Sequence, residues 1–335
     1  MSAKTVLTPR QLNDWNDREK VLAWNGVGAV SLTRDDFNDV SAKITPYGKS
    51  KFVPVTVPNC SDVTCTDVSK AGYIIATSST FTYTSHSRSA ASRPSVGKTK
   101  DGQTIVAVAA GDMFFAVGTS DSIIYIYSSG GQPLQLFKVP GAITSMAASG
   151  SFLFFVSGHE RCYEVIDVYS MKSLAEGKLG QGIAPNWSYI DGESGTPYVI
   201  VDDDILMSLQ QTGWTRRLRI SSSLNQTDIR LIPVRMSEKG LLAAILNKDE
   251  LPKTEPFPDL HCIPYRKTGM LLSAFINYEN KSDKDEASLE FDQEVLKQYI
   301  DAMNKDRLLL SVQLGSLLKT EEGRRGAIQY ADEKG

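Results

Sequence analysis

The feature that most constrains this chain is a repeat. The stretch TIVAVAAGDMFFAVGTSDSIIYIYSSGG is followed by AITSMAASGSFLFFVSGHERCYEVIDVYS, and the two read alike. Each runs from an apolar strand through an Ala-Ala pair to a Gly turn. An aromatic strand, a second turn and an Ile/Val/Tyr strand follow. Val108 aligns with Met146, Ala109 and Ala110 with Ala147 and Ala148, and Phe114 and Phe115 with Leu153 and Phe154. The offset is about 38 residues, and similar starts recur near Val68, Tyr189 and Ile232 at offsets of about 40. Short runs rich in Val, Ile, Phe, Tyr and Thr, separated by Gly, Ser, Asn and Asp, are antiparallel strands.

A period of about 40–45 residues with four strands per unit is that of a β-propeller. Residues 20–275 hold six such units. No Gly-His…Trp-Asp pair marks them, so the blades are divergent. A β-sandwich is the competing fold, but it does not hold so many short strands. Ahead of the repeats, residues 1–19 form a leading segment. In it Thr8 caps and Pro9 opens a short helix with Leu12 and Trp15 on one face.

Two stretches interrupt the pattern. HSRSAASRPSVGKTK (86–100) is basic, small and without periodicity, which predicts a mobile loop dispensable for folding; a phosphorylatable loop is the minor reading. NKDELPKTEPFPDL (247–260) carries Pro252, Pro256 and Pro258, which predict an extended surface connection. After residue 276 the pattern turns helical. Leu289, Leu296, Ile300 and Met303 make one stripe, broadened by Phe291, Val295 and Tyr299. A second helix follows over 308–318. After a turn at Gly323, Ala327, Ile328, Tyr330 and Ala331 mark a third, whose pattern still runs at Gly335. The fold expected is therefore mainly β, a six-bladed β-propeller followed by a short, partial α-helical bundle (276–335). The expectation is of a piece whose last helices are missing.

Chemistry is sparse. With 36 basic and 39 acidic residues the net charge is -3, which argues against nucleic-acid binding through bulk positive charge. No run of 18 apolar residues predicts a membrane span. MSAKTVLTPRQLNDWNDREK lacks the apolar core of a signal peptide, so an intracellular protein with reduced thiols is expected. Of the four cysteines, Cys60 and Cys65 have a spacing that zinc sites use, but none of the three histidines lies near them; buried thiols are the better reading. Asp202, Asp203 and Asp204 read as an acidic turn rather than a cation site. Arg216, Arg217 and Arg219 read as a solvated blade edge rather than a basic patch. Gly26-Val27-Gly28 lacks the third glycine of a dinucleotide loop, and no nucleophile elbow, Walker loop or zincin helix occurs. Neither an enzyme nor a cofactor is expected.

The ordered set KVLAWNGVGAV, VAVAAGDMFFAVGTSDSIIYIYSSGG, GAITSMAASGSFLFFV, GTPYVIVDDDILMSL, GWTRRLRI and AILNKDELPKTEPFPDLHCIPYRKTGM, closing with VQLGSLLKTEEGRRGAIQYADEKG, resembles a replisome hub family. In yeast that family is known for chromosome transmission fidelity. In animals it is the acidic nucleoplasmic DNA-binding protein, with WD repeats and an HMG box. The resemblance covers about residues 20–335 and lies with the family's C-terminal half. Against the family's pattern the chain is expected to lack the WD40 propeller and the HMG box.

The resemblance implies a nuclear, non-enzymatic scaffold. It implies a homotrimer whose helical bundles receive short helical peptides from the GINS part of the replicative helicase and from DNA polymerase alpha. It implies a role in DNA replication and sister-chromatid cohesion, no membrane association, and DNA contact that is at most weak or indirect. A propeller-plus-helix coat component is the alternative. The apolar arc of helix 287–303 is wider than one packing seam requires. Its surplus is either core of a complete bundle or a groove for a partner helix. Under the second reading Leu296, Tyr299, Ile300, Leu308 and Val312 are the peptide-binding residues.

Overall fold

The structure, a computed structural model, describes residues 5–6, 15, 18–48, 52–87, 93–179, 185–210, 213–220, 229–247, 250–254, 256–264, 292–293, 295–297, 299–300, 302–304, 311, 314–318 and 320–334. The chain divides into two compact units, Met1–Pro264 and Tyr265–Gly335. The expected boundary at 275/276 and the helix expected near Pro9 lie outside the described residues.

The first unit is a six-bladed β-propeller of four-stranded sheets. Blade 1 is β2 (Glu19–Trp24), β3 (Gly28–Arg34), β4 (Val40–Pro46) and β5 (Val55–Val57). Blade 2 is β6 (Cys65–Val68), β7 (Gly72–Ala76), β8 (Thr80–Ser85) and β9 (Ser95–Lys98). Blade 3 is β10 (Ile105–Ala110), β11 (Phe114–Thr119), β12 (Ile123–Ser128) and β13 (Pro133–Lys138). Blade 4 is β14 (Ile143–Ser149), β15 (Phe152–Ser157), β16 (Cys162–Asp167) and β17 (Lys172–Lys178). Blade 5 is β18 (Pro185–Ile190), β19 (Pro197–Val201), β20 (Ile205–Gln210) and β21 (Gly213–Arg219). Blade 6 has three strands of its own, β22 (Ile229–Ser237), β23 (Gly240–Asn247) and β24 (Leu260–Pro264). Its fourth is β1 (Thr5–Val6), which joins β22 in parallel, Thr5 opposite Arg230 and Val6 opposite Leu231.

Both faces of β7, β11 and β15, the second strands of blades 2, 3 and 4, are covered, which is why these strands read as continuous apolar runs, whereas burial alternates along the third strands β8, β12 and β16. The core is a set of clusters between neighbouring blades. Ala107, Ala109, Ile124 and Ile126 of blade 3 pack on Met146, Leu153, Phe155 and Ile166 of blade 4. Between blades 2 and 3, Tyr83 stacks on Phe115 at 4.5 Å and Phe115 on Tyr127 at 5.0 Å. Each fully buried Phe, Ile or Leu contributes roughly 1.5–3 kcal/mol by leaving water, so the junctions hold the disc together. Close backbone passage also matters. Asp112 N–H donates to Gly150 O, and a Cβ at Gly150 would lie 2.5 Å from Gly192 O, so the facing turns of blades 4 and 5 can touch only through glycine.

Three local readings change. Ala110 pairs with Phe115 and Ala148 with Leu153, so Phe114 and Phe115 correspond to Phe152 and Leu153, one residue back from the sequence alignment. Segment 86–100 is not all loop, because residues 95–98 form β9. A Cβ at Gly97 would run into the Phe81 ring, so this short polar strand is fitted to its partner. At the start of the segment the His86 ring stacks on Phe52 at 3.9 Å, and its Nε2 lies 3.1 Å from Ser69 O. Burial pushes the His86 pKa below its ordinary value. The proline-rich stretch 247–260 is not a free surface connection either: Thr254 is 2% exposed and Pro252 is buried.

Asp202 and Asp203 both take left-handed backbone, with Asp204 N–H closing on Val201 O. That is a type I′ hairpin turn, whose twist matches the flanking strands. Asp203 accepts from Asn186, and Asp204 Oδ2 lies 3.3 Å from Arg219 Nε. The acidic turn is thus built into the blade. Among the described residues no group of three or more His, Cys, Asp or Glu is placed to hold a metal ion.

Candidate functional site

Two regions are candidates. The first is in the helical unit. Residues 292–293, 295–297, 299–300 and 302–304 are helical, and α1 spans Glu321–Lys334. Val295, Tyr299, Ala302, Leu314, Leu318 and Ala327 form the buried cluster, with Leu296, Ile300, Met303 and Tyr330 packed at its margin. The spacing of Val295, Tyr299 and Ala302 is helical, but the centre of the stripe is displaced from the one the sequence indicates. Residues expected to broaden it lie at its middle, and Ala302 escapes notice because its side chain is small.

The N-terminus of α1 is tightly specified. Thr320 Oγ1 accepts from Gly323 N–H at 3.0 Å, which is an N-cap. The buried Asp292 carboxylate accepts from Thr320 N–H at 2.5 Å and from Thr320 Oγ1–H at 2.6 Å. Its negative charge sits where the helix dipole favours one. A Cβ at Gly323 would lie 2.5 Å from Asp292 Oδ2. Gly323 is therefore inside the helix, making room for the carboxylate, and is not the turn that the sequence predicts. Gly326 likewise brings α1 close to Leu296.

Of the predicted groove residues, Tyr299 is 9% exposed and belongs to the cluster, while Leu296 and Ile300 are half-buried beside it. Leu308 and Val312 lie outside the described residues. The predicted groove set leaves out Leu317 and Ile328, which the sequence reads only as helix positions and the structure leaves 45% and 62% exposed. Exposure of an apolar residue at a helix position is legible only once the neighbouring helix is placed.

The second region is a cavity of about 590 Å³ lined by the first strands of all six blades. Its wall repeats one device. Asn25 Nδ2–H donates to Val68 O at 2.6 Å, Ala110 N–H donates to Asp67 Oδ2 at 2.8 Å, and Ser145 Oγ–H donates to Ser188 Oγ at 2.6 Å. Each pair is separated by 43 residues, so the blade period is also a hydrogen-bond period. Asp67 Oδ1 accepts from Val68 N–H as well. This carboxylate is committed to backbone donors of two blades and has the place of a structural latch rather than of a general base. Tyr189, on the same wall, has its hydroxyl pushed up to about 12, by burial first and then by Asp191. Among the described residues of this wall, no nucleophile is hydrogen-bonded to a base.

The remaining sequence candidates are placed as follows. Cys60 is buried, its thiol turned to Val57 O at 3.3 Å and pushed above its ordinary pKa by burial. Cys65 is buried among the side chains between blades 2 and 3. Arg216, Arg217 and Arg219 lie on β21, the last strand of blade 5, with Arg216 and Arg219 exposed.

No curated protein matches this sequence. Among solved structures, one titled "Structure of U3-55K" aligns with a TM-score of 0.41 at 13% identity, over 56% of this chain. The chain spans 62% of the length of that structure. The family described as "Minichromosome loss protein, Mcl1, middle region" matches residues 5–266, which is every blade of the propeller. The chain belongs to the minichromosome loss protein, Mcl1, family, and its propeller is that family's middle region.

Proposed function

We propose that this protein is a non-enzymatic scaffold of the eukaryotic replisome, acting in the nucleus. Three copies assemble through their propellers. The helical unit of each receives a short amphipathic helix from GINS or from DNA polymerase alpha, so that helicase and priming polymerase are held together. Support for DNA replication and sister-chromatid cohesion follows from that tethering. Family membership over residues 5–266 is the observation that carries the reading.

Surface chemistry supports both contacts. On the last strand of blade 3, Leu134 and Leu136 are 46% and 59% exposed, and Leu174 on the last strand of blade 4 is exposed too. Apolar side chains on outer strands are what a copy-to-copy contact would cover. In the helical unit, Leu296 and Ile300 over Tyr299, together with Leu308 and Val312, form the peptide-binding set. Ile328 extends it. A disordered client loses entropy as it folds, so affinity is modest, roughly micromolar. DNA contact, if made through Arg216 and Arg219, is weak.

Fluorescence anisotropy with a labelled GINS or polymerase peptide tests the client site. Parent protein is expected to bind, and Ile300→Ala and Ile328→Ser to weaken binding several-fold while remaining folded. Equal binding by both folded variants would place the groove elsewhere, and no binding by the parent chain would contradict the client reading.

A further inference from the structure

Most neighbouring blades are joined by a short connection along the chain. The seam between blade 6 and blade 1 is not. There the ring must be closed by groups far apart in sequence, and among the described residues the inner strand β22 approaches the inner strands of blades 5 and 1 less closely than the other inner strands approach theirs.

Two segments cross this seam in opposite directions. β1, which precedes blade 1, pairs with β22 of blade 6. Residues 250–254 and 256–259, between β23 and β24 of blade 6, lie against blade 1. Their contacts are specific. Thr254 donates through its N–H (3.2 Å) and its hydroxyl to the Glu19 carboxylate, 235 residues away on β2. Its Oγ1 also lies 3.5 Å from Ser31 Oγ on β3, and both residues are buried. Phe257 packs its ring at 5.5 Å from Trp24 and edge-on at 4.9 Å from Tyr47. Leu251, Phe257 and Leu260 join a cluster shared by Val21, Trp24 and Ala29 of blade 1 and Ile232, Val234 and Ala244 of blade 6. Across the same seam a Cβ at Gly26 would lie 2.5 Å from Arg235 Cδ, so Gly26 leaves room for the arginine stem.

We propose that this reciprocal exchange is a conformational device, a clasp: the propeller opens at the seam between blades 6 and 1, and the strap that carries Leu251, Thr254 and Phe257 sets how often. The physical reason is the mixture of forces. Consecutive blades bury apolar strand faces, whose attraction is non-directional and spread over many atoms. The seam adds a few oriented bonds to one carboxylate and one aromatic cluster. Losing any of these removes a discrete share of the closure, so the seam is the local opening unit.

Amide hydrogen exchange on the full chain, read by mass spectrometry, tests this. Thr254→Val keeps the shape and removes the hydroxyl, Phe257→Ala removes the ring, and Thr254→Ser restores the donor. Thr254→Val and Phe257→Ala are expected to speed exchange in β2, β22, β23 and β24 by about tenfold, with β10 to β17 unchanged and Thr254→Ser close to the parent. Uniform acceleration in all six blades would overturn the proposal, as would unchanged exchange at the seam in folded variants. Should Phe257→Ala not fold, Thr254→Val against Thr254→Ser decides alone.

Discussion

The junction of blades 3 and 4 and the seam of blades 6 and 1 do the same work with different chemistry. At the first, Phe155, Leu153 and Met146 meet Ala107, Ala109 and Ile124, and a turn-to-turn bond, Asp112 N–H to Gly150 O, accompanies the apolar contact. At the second, a carboxylate, two hydroxyls and an aromatic trio are added to a smaller apolar set. Sequence distance explains the difference. Each doubling of a closed loop costs about 0.6 kcal/mol, so closing over 235 residues rather than 43 costs about 1.5 kcal/mol more. A chain neighbour is held near its partner by connectivity, whereas the seam has to be recognised.

Phe155→Ala has the largest expected effect. Phe155 is buried between blades 3 and 4 and packs on Phe137, so its loss should cost about 3–5 kcal/mol. Urea unfolding followed by fluorescence and by circular dichroism should shift together, because this junction belongs to the cooperative core. If only blades 3 and 4 lost amide protection, the contrast with the clasp would fail.

Tyr83→Phe probes the junction of blades 2 and 3, with a smaller effect and the opposite sign. The Tyr83 hydroxyl is buried, has no hydrogen-bond partner among the described residues, and is pushed up to about 12 chiefly by burial. Removing it leaves the stack on Phe115 intact, so stability should rise by about 1 kcal/mol. A fall of that size in the urea midpoint would show that the hydroxyl does bind something.

The smallest effect is expected at the junction of blades 1 and 2. His86 is held neutral by burial, with a folded pKa below the unfolded value near 6.5. Below 6.5 the unfolded chain takes up the proton first, so stability falls as the pH drops through the window down to the folded pKa. His86→Gln should lose that part of the pH dependence while keeping the rest. An unchanged profile would mean that His86 is solvated.

How much of this was legible in the sequence depended on what each strand buries. Residues 105–178 could be read because their first and second strands are apolar and glycine turns punctuate them. β9 could not: Ser-Val-Gly-Lys at a blade rim buries little, and Gly97 is there for Phe81 rather than for a loop. The strap failed for a related reason. Its prolines do stop strands, but Thr254 and Phe257 find their partners in blade 1, which no local pattern reports. In the helical unit the apolar stripe was visible, yet Tyr299 went to the interior and Ile328 to the surface. Periodicity gives a face, and only the packed neighbour says which part of that face remains open.

The scaffold reading rests most directly on assembly. Light scattering of the full chain behind size-exclusion chromatography, at micromolar concentration, measures it in one step. The account predicts a particle of three times 36.8 kDa, shifted to lower mass by Leu134→Asp with Leu136→Asp. A mass of 36.8 kDa at every concentration would contradict it.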